Sequence, residues 1–180
     1  MKSGINSGNS NLPTEDEQSI ETRVREVFPY LDAGRRKKDK KIDTKDLQYV
    51  LKKIKAPRSW IQQTEEILWE IDDNNQGYLL VDDLVRTVQR IMNASKSNAL
   101  EEPSRVIDII DFVSKDPKLT GKISARDCIL LLHNRFGGSV NETRLRDLFM
   151  NSNFQKATTE YISFTEFCKQ VKVRRMLKQR

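Results

Sequence analysis

Residues 71–84 read IDDNNQGYLLVDDL. A loop that wraps its own oxygens around a cation needs a sharp reversal at its sixth position, which glycine makes without strain. Taking Gly77 as that position puts Asp72 first, Asn74 third, Gln76 fifth, Tyr78 seventh (through its backbone carbonyl) and Asp83 twelfth. Each of these places an oxygen where a cation loop needs one, while Leu80, ninth, does not. Leu79, eighth, suits a short antiparallel bridge to a second unit of the same kind. A plain polar turn between two helices is the competing reading, and it accounts for the glycine but not for the run of oxygens.

Upstream, Thr14 and Glu17 form a capping box, and Ile20, Val24, Val27, Phe28 and Leu31 follow at helical spacing. Pro29 predicts a bend near the end of that helix. The stretch DAGRRKKDKKI, residues 32–42, then leads to an outgoing helix marked by Leu47, Val50, Leu51 and Ile54. With Ile42 as its bridge residue, this loop holds three residues too many, and Arg35, Lys37 and Lys40 stand where ligands belong. It keeps the shape of a cation loop and has lost the chemistry. Ser59 is the expected N-cap of the next incoming helix, whose anchors are Leu68 and Ile71. Leu84, Val85, Val88, Ile91 and Met92 line the helix that leaves.

Downstream, Val106, Ile109, Ile110 and Val113 mark a helix that Pro103 can open. The third loop has two possible registers. Gly121 as the turn makes Asp116 first and Lys118 third, whereas the helical stripe starts the loop at Ser114, two residues longer than normal. Neither register is a calcium site. Ile123 is the bridge residue, and Leu130, Leu131 and Phe136 continue to Gly137-Gly138. The capping box Ser139…Glu142 opens a fourth incoming helix with Leu145, Leu148 and Phe149. Its loop, NSNFQKATTEYI at 151–162, lacks the glycine and is overlong; Phe164, Phe167, Cys168 and Val171 form the last stripe.

The bridge residues Ile42, Leu79, Ile123 and Ile162 lie 37, 44 and 39 residues apart, an internal repeat with the excess falling between the halves. On the loop, the anchors Phe28/Leu31 and Leu68/Ile71, and the ISFTEF segment at 162–167, the chain resembles the calmodulin/centrin-type EF-hand superfamily over nearly everything after residue 13. Its second half also resembles divergent EF-hand proteins of cilia and flagella, on LLHNRFGG at 131–138, the overlong fourth loop and ISFTEF. The expected fold is all-α, with two lobes of paired EF-hands, four hands that are mostly degenerate. These are residues 14–92 and 103–180, joined by a linker at 93–102, behind a disordered Ser/Asn/Gly-rich tail at 1–13 and with a basic tail at the C-terminal end.

The charge of the second loop limits its metal chemistry. Among its ligand positions only Asp72 and Asp83 are carboxylates, and the closing residue is Asp rather than the bidentate Glu of sensor loops. The expectation is at most one weak Ca²⁺ or Mg²⁺ site, through Asp72, Asn74, Gln76, Tyr78 and Asp83, and no other cofactor. Asp46, Asp127 and Glu166 each sit three residues after Asp43, Ser124 and Ser163, a capping-box spacing that explains them without metal. His133 is five residues from Cys128, off its helix face, so the pair makes no zinc site. Cys128 and Cys168 read as core residues of a reducing compartment. Trp60 and Trp69 read as packing or partner-facing aromatics, and no phosphate loop, zincin motif or nucleophile elbow is present.

No apolar run reaches membrane-spanning length and no signal peptide is evident, which points to the cytoplasm. Methionine-rich grooves serve promiscuous sensors; here only Met92 and Met150 fall on the repeat helices, which suits one permanent protein partner, either an amphipathic helix clasped by the lobes or a partner bound through the outer surfaces of closed lobes. The net charge is +6, with six basic residues among the seven from Arg35 to Lys41 and a further group in the tail that includes Arg174 and Arg175. Arg35, Arg36, Lys37, Lys38, Lys40, Lys41, Arg174 and Arg175 are therefore candidate contacts to an acidic cytoskeletal surface such as tubulin. A solvated loop and a frayed helix end are the plainer explanation. No nucleic-acid motif accompanies these cations. The flagellar resemblance implies a non-enzymatic adaptor of an axonemal or microtubule assembly in a cilium or flagellum. The alternative is a calcium-responsive, light-chain-type regulatory subunit of an enzyme or motor.

Overall fold

The recurrence of Val24, Val27, Phe28 and Leu31 produces a helix, α1 (Ile20–Leu31), with all four side chains buried. The structure, a computed structural model, describes residues 20–34, 38–96, 105–136 and 161–178. It is mostly helical. After β1 (Ile42–Asp43), α2 (Thr44–Lys53) starts at a complete capping box: the Asp43 carboxylate accepts from the Lys45 and Asp46 amides, and Asp46 accepts from the Asp43 amide. Its other end closes on Lys55, at φ 57°, with the Ala56 N–H donated to the Leu51 carbonyl at 2.9 Å. This is the cap usually built on glycine, here built on lysine.

The next helical segment is split into α3 (Arg58–Gln62) and α4 (Thr64–Trp69). Thr64 explains the break. It is buried, and its hydroxyl donates back to the Ile61 carbonyl at 2.7 Å, a bond that competes with the helical ladder. Ser59, expected as the cap, lies inside α3, and Pro57 precedes the first turn, where its fixed φ suits a helix entry. Then follow β2 (Tyr78–Leu79), α5 (Val81–Lys96), α6 (Arg105–Lys115), β3 (Lys122–Ser124), α7 (Ala125–Phe136), β4 (Tyr161–Ser163) and α8 (Phe164–Lys178). The helix α5 runs into the stretch expected to be linker. The tail 1–13, the Thr14…Glu17 capping box, the Ser139…Glu142 capping box with Leu145, Leu148, Phe149 and Met150, and most of the fourth loop lie outside the described residues.

Two short antiparallel ribbons tie the helices in pairs. Ile42 faces Leu79 across β1–β2, and Ile123 faces Ile162 across β3–β4. These are the four residues of the sequence repeat, and all are buried. Apolar residues of both halves form one continuous core. Trp60 of α3 meets Phe164 of α8 edge-on at 5.5 Å, and Phe164 in turn meets Phe112 of α6 at 5.1 Å. Such aromatic contacts contribute about 0.5–1.5 kcal/mol each beyond area burial.

A buried ionic group adds direction to this packing. Asp108 and Asp111, one turn apart on α6, both face Arg135 at the end of α7, and Asp111 also faces Arg23 of α1 at 3.7 Å. Hydrophobic periodicity cannot find such a group, because its members lie on the apolar face. Among the described residues no helix is long and apolar enough to cross a membrane.

Removing one member of a buried pair leaves the other charge desolvated, at a cost of about 3–5 kcal/mol. Arg135→Ala is therefore expected to lose about that much stability in urea unfolding. Arg105→Ala, which cuts a more exposed contact from α6 to Glu70, is expected to lose under about 1 kcal/mol. Equal losses in the two variants would contradict this ranking.

Candidate cation loop and basic docking surface

The three described loops share one turn. An aspartate follows each incoming helix, its amide bonded to a carbonyl four residues back: Asp32 to Phe28, Asp72 to Leu68, Asp116 to Phe112, all at 3.0 Å. Two residues before each bridge residue the backbone turns left-handed, at Lys40 (φ 62°), Gly77 (φ 75°) and Gly121 (φ 78°). The amide of that residue donates to the aspartate, at 3.0 Å for Lys40 and 2.7 Å for each glycine. The third loop thus takes Asp116 as its first residue. The later start follows from α6 continuing to Lys115, two residues beyond where the apolar stripe would end it. In the first loop lysine performs the glycine turn, the feature that sequence reasoning missed because it looked for glycine.

The closing acids are engaged as well. Asp46, fully buried, accepts the Gly34 amide at 2.7 Å in addition to its capping bond. Burial, then the neighbouring Asp43 carboxylate, outweigh these amides and raise its pKa above the usual value. A Cβ on Gly34 would sit 2.7 Å from Asp46, so only glycine fits there. Asp127 takes the Ser124 hydroxyl at 2.6 Å, and Glu166 lies 3.5 Å from Lys169 Nζ.

The second loop gathers most of its predicted ligands. Asn74 and Gln76 each bring a side-chain amide to Asp83, at 3.3 and 3.2 Å, and Leu80 donates its amide to the same carboxylate at 3.2 Å. Rotating either amide group would present its oxygen instead. Asp72 uses Oδ2 for the Gly77 turn, but its Oδ1 is buried and without a hydrogen-bond partner. Both aspartates line a cleft of about 160 Å³. An orphaned buried carboxylate oxygen in a cleft that a second carboxylate also lines fits a small hard cation. Against it, the Arg86 guanidinium already pairs with Asp83. Tyr78 sits in β2 with its ring 4.0 Å from Lys41 Nζ. Among the described residues no three His, Cys, Asp or Glu side chains gather as a metal-holding group.

The basic candidates separate. Arg35, Arg36 and Lys37 lie outside the described residues. Lys38 and Lys40 are exposed and Lys41 half-buried, and the exposed Lys45, Lys52 and Lys53 continue along α2. Arg174 is a correction: only 8% exposed, it leaves Nε and Nη2 buried without partners, and burial lowers its pKa. The cause is the position of the residue on α8, one turn beyond the buried Val171. Arg175 is half-buried, and burial followed by repulsion from Arg135 lowers its pKa too. Cys128 and Cys168 are free thiols; burial first, then Glu166, pushes Cys128 up to about 12, and burial raises Cys168 as well. Trp60 packs in the core, whereas Trp69 is exposed.

Compared with protein-family models and with curated proteins, the sequence matches none.

A left-handed conformation costs a non-glycine residue roughly 1–2 kcal/mol, partly offset by the chain entropy that glycine loses. Lys40→Gly is thus expected to raise stability by about 0.5–1 kcal/mol. Gly121→Ala should cost about 2 kcal/mol or more, because its Cβ would also lie 2.9 Å from the Ile54 carbonyl oxygen. Chemical unfolding of the two variants gives opposite signs if the turns are equivalent.

Proposed function

We propose that this chain is a non-enzymatic EF-hand adaptor of calmodulin-like descent, held in shape without metal and built constitutively into a cytoskeletal assembly. The observation that carries the reading is the self-closure of the loops. Asp32, Asp46 and Asp116 spend their carboxylates on loop amides, so the helix pairs need no cation to fix their angle. The paired bridges Ile42–Leu79 and Ile123–Ile162 support the EF-hand assignment, since such hands associate through this ribbon. The axonemal or microtubule setting, in the cytoplasm of a cilium or flagellum, rests on the resemblance of the second half. The basic surface of Lys38, Lys40 and Lys41, carried on by α2, supports docking on an acidic partner such as tubulin. The tail contributes less than its composition implies, since Arg174 is buried.

Co-sedimentation with microtubules over a salt series tests the docking. Wild type is expected to pellet at low salt and to release as salt screens the contact, with or without chelator. Changing Lys38, Lys40 and Lys41 to Glu should abolish pelleting while leaving the melting curve intact. Equal pelleting of the two proteins contradicts the role.

The buried, unpaired Oδ1 of Asp72 favours a second reading, a calcium- or magnesium-responsive regulatory subunit. Under the adaptor reading, calorimetry should give a calcium dissociation constant of roughly 10⁻⁴ M or weaker, lost in Asp72→Ala. Arg86→Ala should tighten it by removing the competing cation from Asp83. Submicromolar binding by wild type would select the regulatory reading.

A further inference from the structure

The charge of the first half is segregated along the chain. Residues 35–58 carry eleven basic and three acidic residues, whereas residues 59–85 carry seven acids and no Lys or Arg. In the fold the second segment supplies α4 and the cation loop. On α4 the buried side is Thr64, Ile67 and Leu68, and the opposite side exposes Glu65, Glu66 and Trp69, with Glu70 exposed just beyond its end.

Trp69 is 74% exposed, the most exposed of the large hydrophobic side chains described. A tryptophan left in water forgoes one of the largest gains that burial offers, and tryptophan is the residue most enriched at the energetic centres of protein interfaces. Its surroundings define what would cover it. On α4, Glu65 and Glu66 lie one turn before it; Glu70 follows it directly, and Asp73 belongs to the loop beyond. Arg105 takes up part of this charge through Glu70, at 3.0 Å, and Arg90 pairs with Asp73, at 3.1 Å. Both acids stay accessible, Asp73 at 58% and Glu70 at 36% of their side-chain surface, and Glu66 at 65% lies 3.9 Å from Arg105. The surface keeps a negative excess around an aromatic face. An aromatic face attracts cations through its quadrupole, and the carboxylates attract the same cations by charge.

We infer that the outer face of α4 is a second interaction surface, which receives a Lys- or Arg-bearing protein segment with Trp69 as its anchor. The occupant is a basic helix or strand of a different protein. Nucleic acid and anionic membrane are disfavoured because they would bring phosphates against Glu65 and Glu66. Glu65, Glu66, Trp69 and Glu70 lie outside the cleft of the cation loop, whose lining includes Asp73, so these four can be engaged without metal.

The test uses the full chain and two synthetic twenty-residue amphipathic peptides, one of Leu and Lys and one of Leu and Glu, each labelled for fluorescence anisotropy. The Lys peptide is expected to bind, with affinity falling several-fold between 50 and 300 mM salt. The Glu peptide is expected to bind at least tenfold more weakly to the Lys38, Lys40 and Lys41 to Glu variant, which removes the separate basic surface. Trp69→Ala should weaken the Lys peptide at least tenfold, as should Glu65→Lys with Glu66→Lys, while both variants melt as wild type does. Unchanged binding in Trp69→Ala overturns the inference. So does a loss of cooperative melting in that variant, which would make Trp69 part of the fold. A wild-type dimer in sedimentation that Trp69→Ala dissociates overturns the choice of occupant, because the face would then meet a second copy. Retention of wild type, but not Trp69→Ala, on anionic vesicles would overturn it in favour of lipid.

Discussion

Each described helix–loop–helix unit turns on one bond, a backbone amide in left-handed conformation donating to the aspartate that ends the incoming helix. The bond is charge-assisted and therefore stronger than an amide–carbonyl pair. It brings residues 40, 77 and 121 back over the helix end and aims the next two residues into the ribbon, where Ile42, Leu79 and Ile123 pair. A loop that relied on a cation for this closure would open when the cation left. Here the closure belongs to the chain. The first loop shows how far that can go: it has lengthened by three residues, filled with lysine and arginine, and still makes the same bond through Lys40.

The halves are held together by two interactions of different character. The Trp60–Phe164–Phe112 stack contributes apolar area without much angular demand beyond its edge-on geometry. The Arg135–Asp108–Asp111–Arg23 group is demanding, because each buried charge must meet its partner or pay for desolvation. The first supplies adhesion and the second restricts the angle at which adhesion is possible. Gly121, whose turn touches the last turn of α2, closes the same seam at the backbone level. A seam with three such contacts resists the opening motion that would expose an apolar groove between helix pairs.

Much of this was legible in the sequence, for identifiable reasons. The repeat of Ile42, Leu79, Ile123 and Ile162 is a pattern of large aliphatics at fixed spacing, and it located both ribbons. The capping acids were legible because a box of two short polar residues three apart is a local rule. Tertiary requirements were not. The two acids of α6 look like interruptions of an apolar stripe until Arg135 and Arg23 arrive from other helices. Arg174 looks like part of a basic tail until the helix continues past Val171 and carries it inside. The third loop was ambiguous because its stripe stops at Val113, while hydrogen bonding carries the helix to Lys115. In the candidate loop the donors were readable, and the guanidinium of Arg86 on Asp83 had a signal too, since the two stand three apart on α5, the spacing at which helical side chains meet.

Charge segregation gives the first half a physical direction. Between Arg35 and Arg58 the chain is strongly positive, and between Ser59 and Val85 it is negative without exception, with Trp69 in the negative part. Random placement of a +6 excess would spread it and leave a uniformly repulsive surface toward any cationic partner. Segregation instead gives the proposed basic docking surface and the proposed Trp69 face opposite signs on elements that share one core. Loops closed by their own hydrogen bonds suit the proposed adaptor role, because a bridge between two surfaces would lose by loosening whenever a cation dissociated.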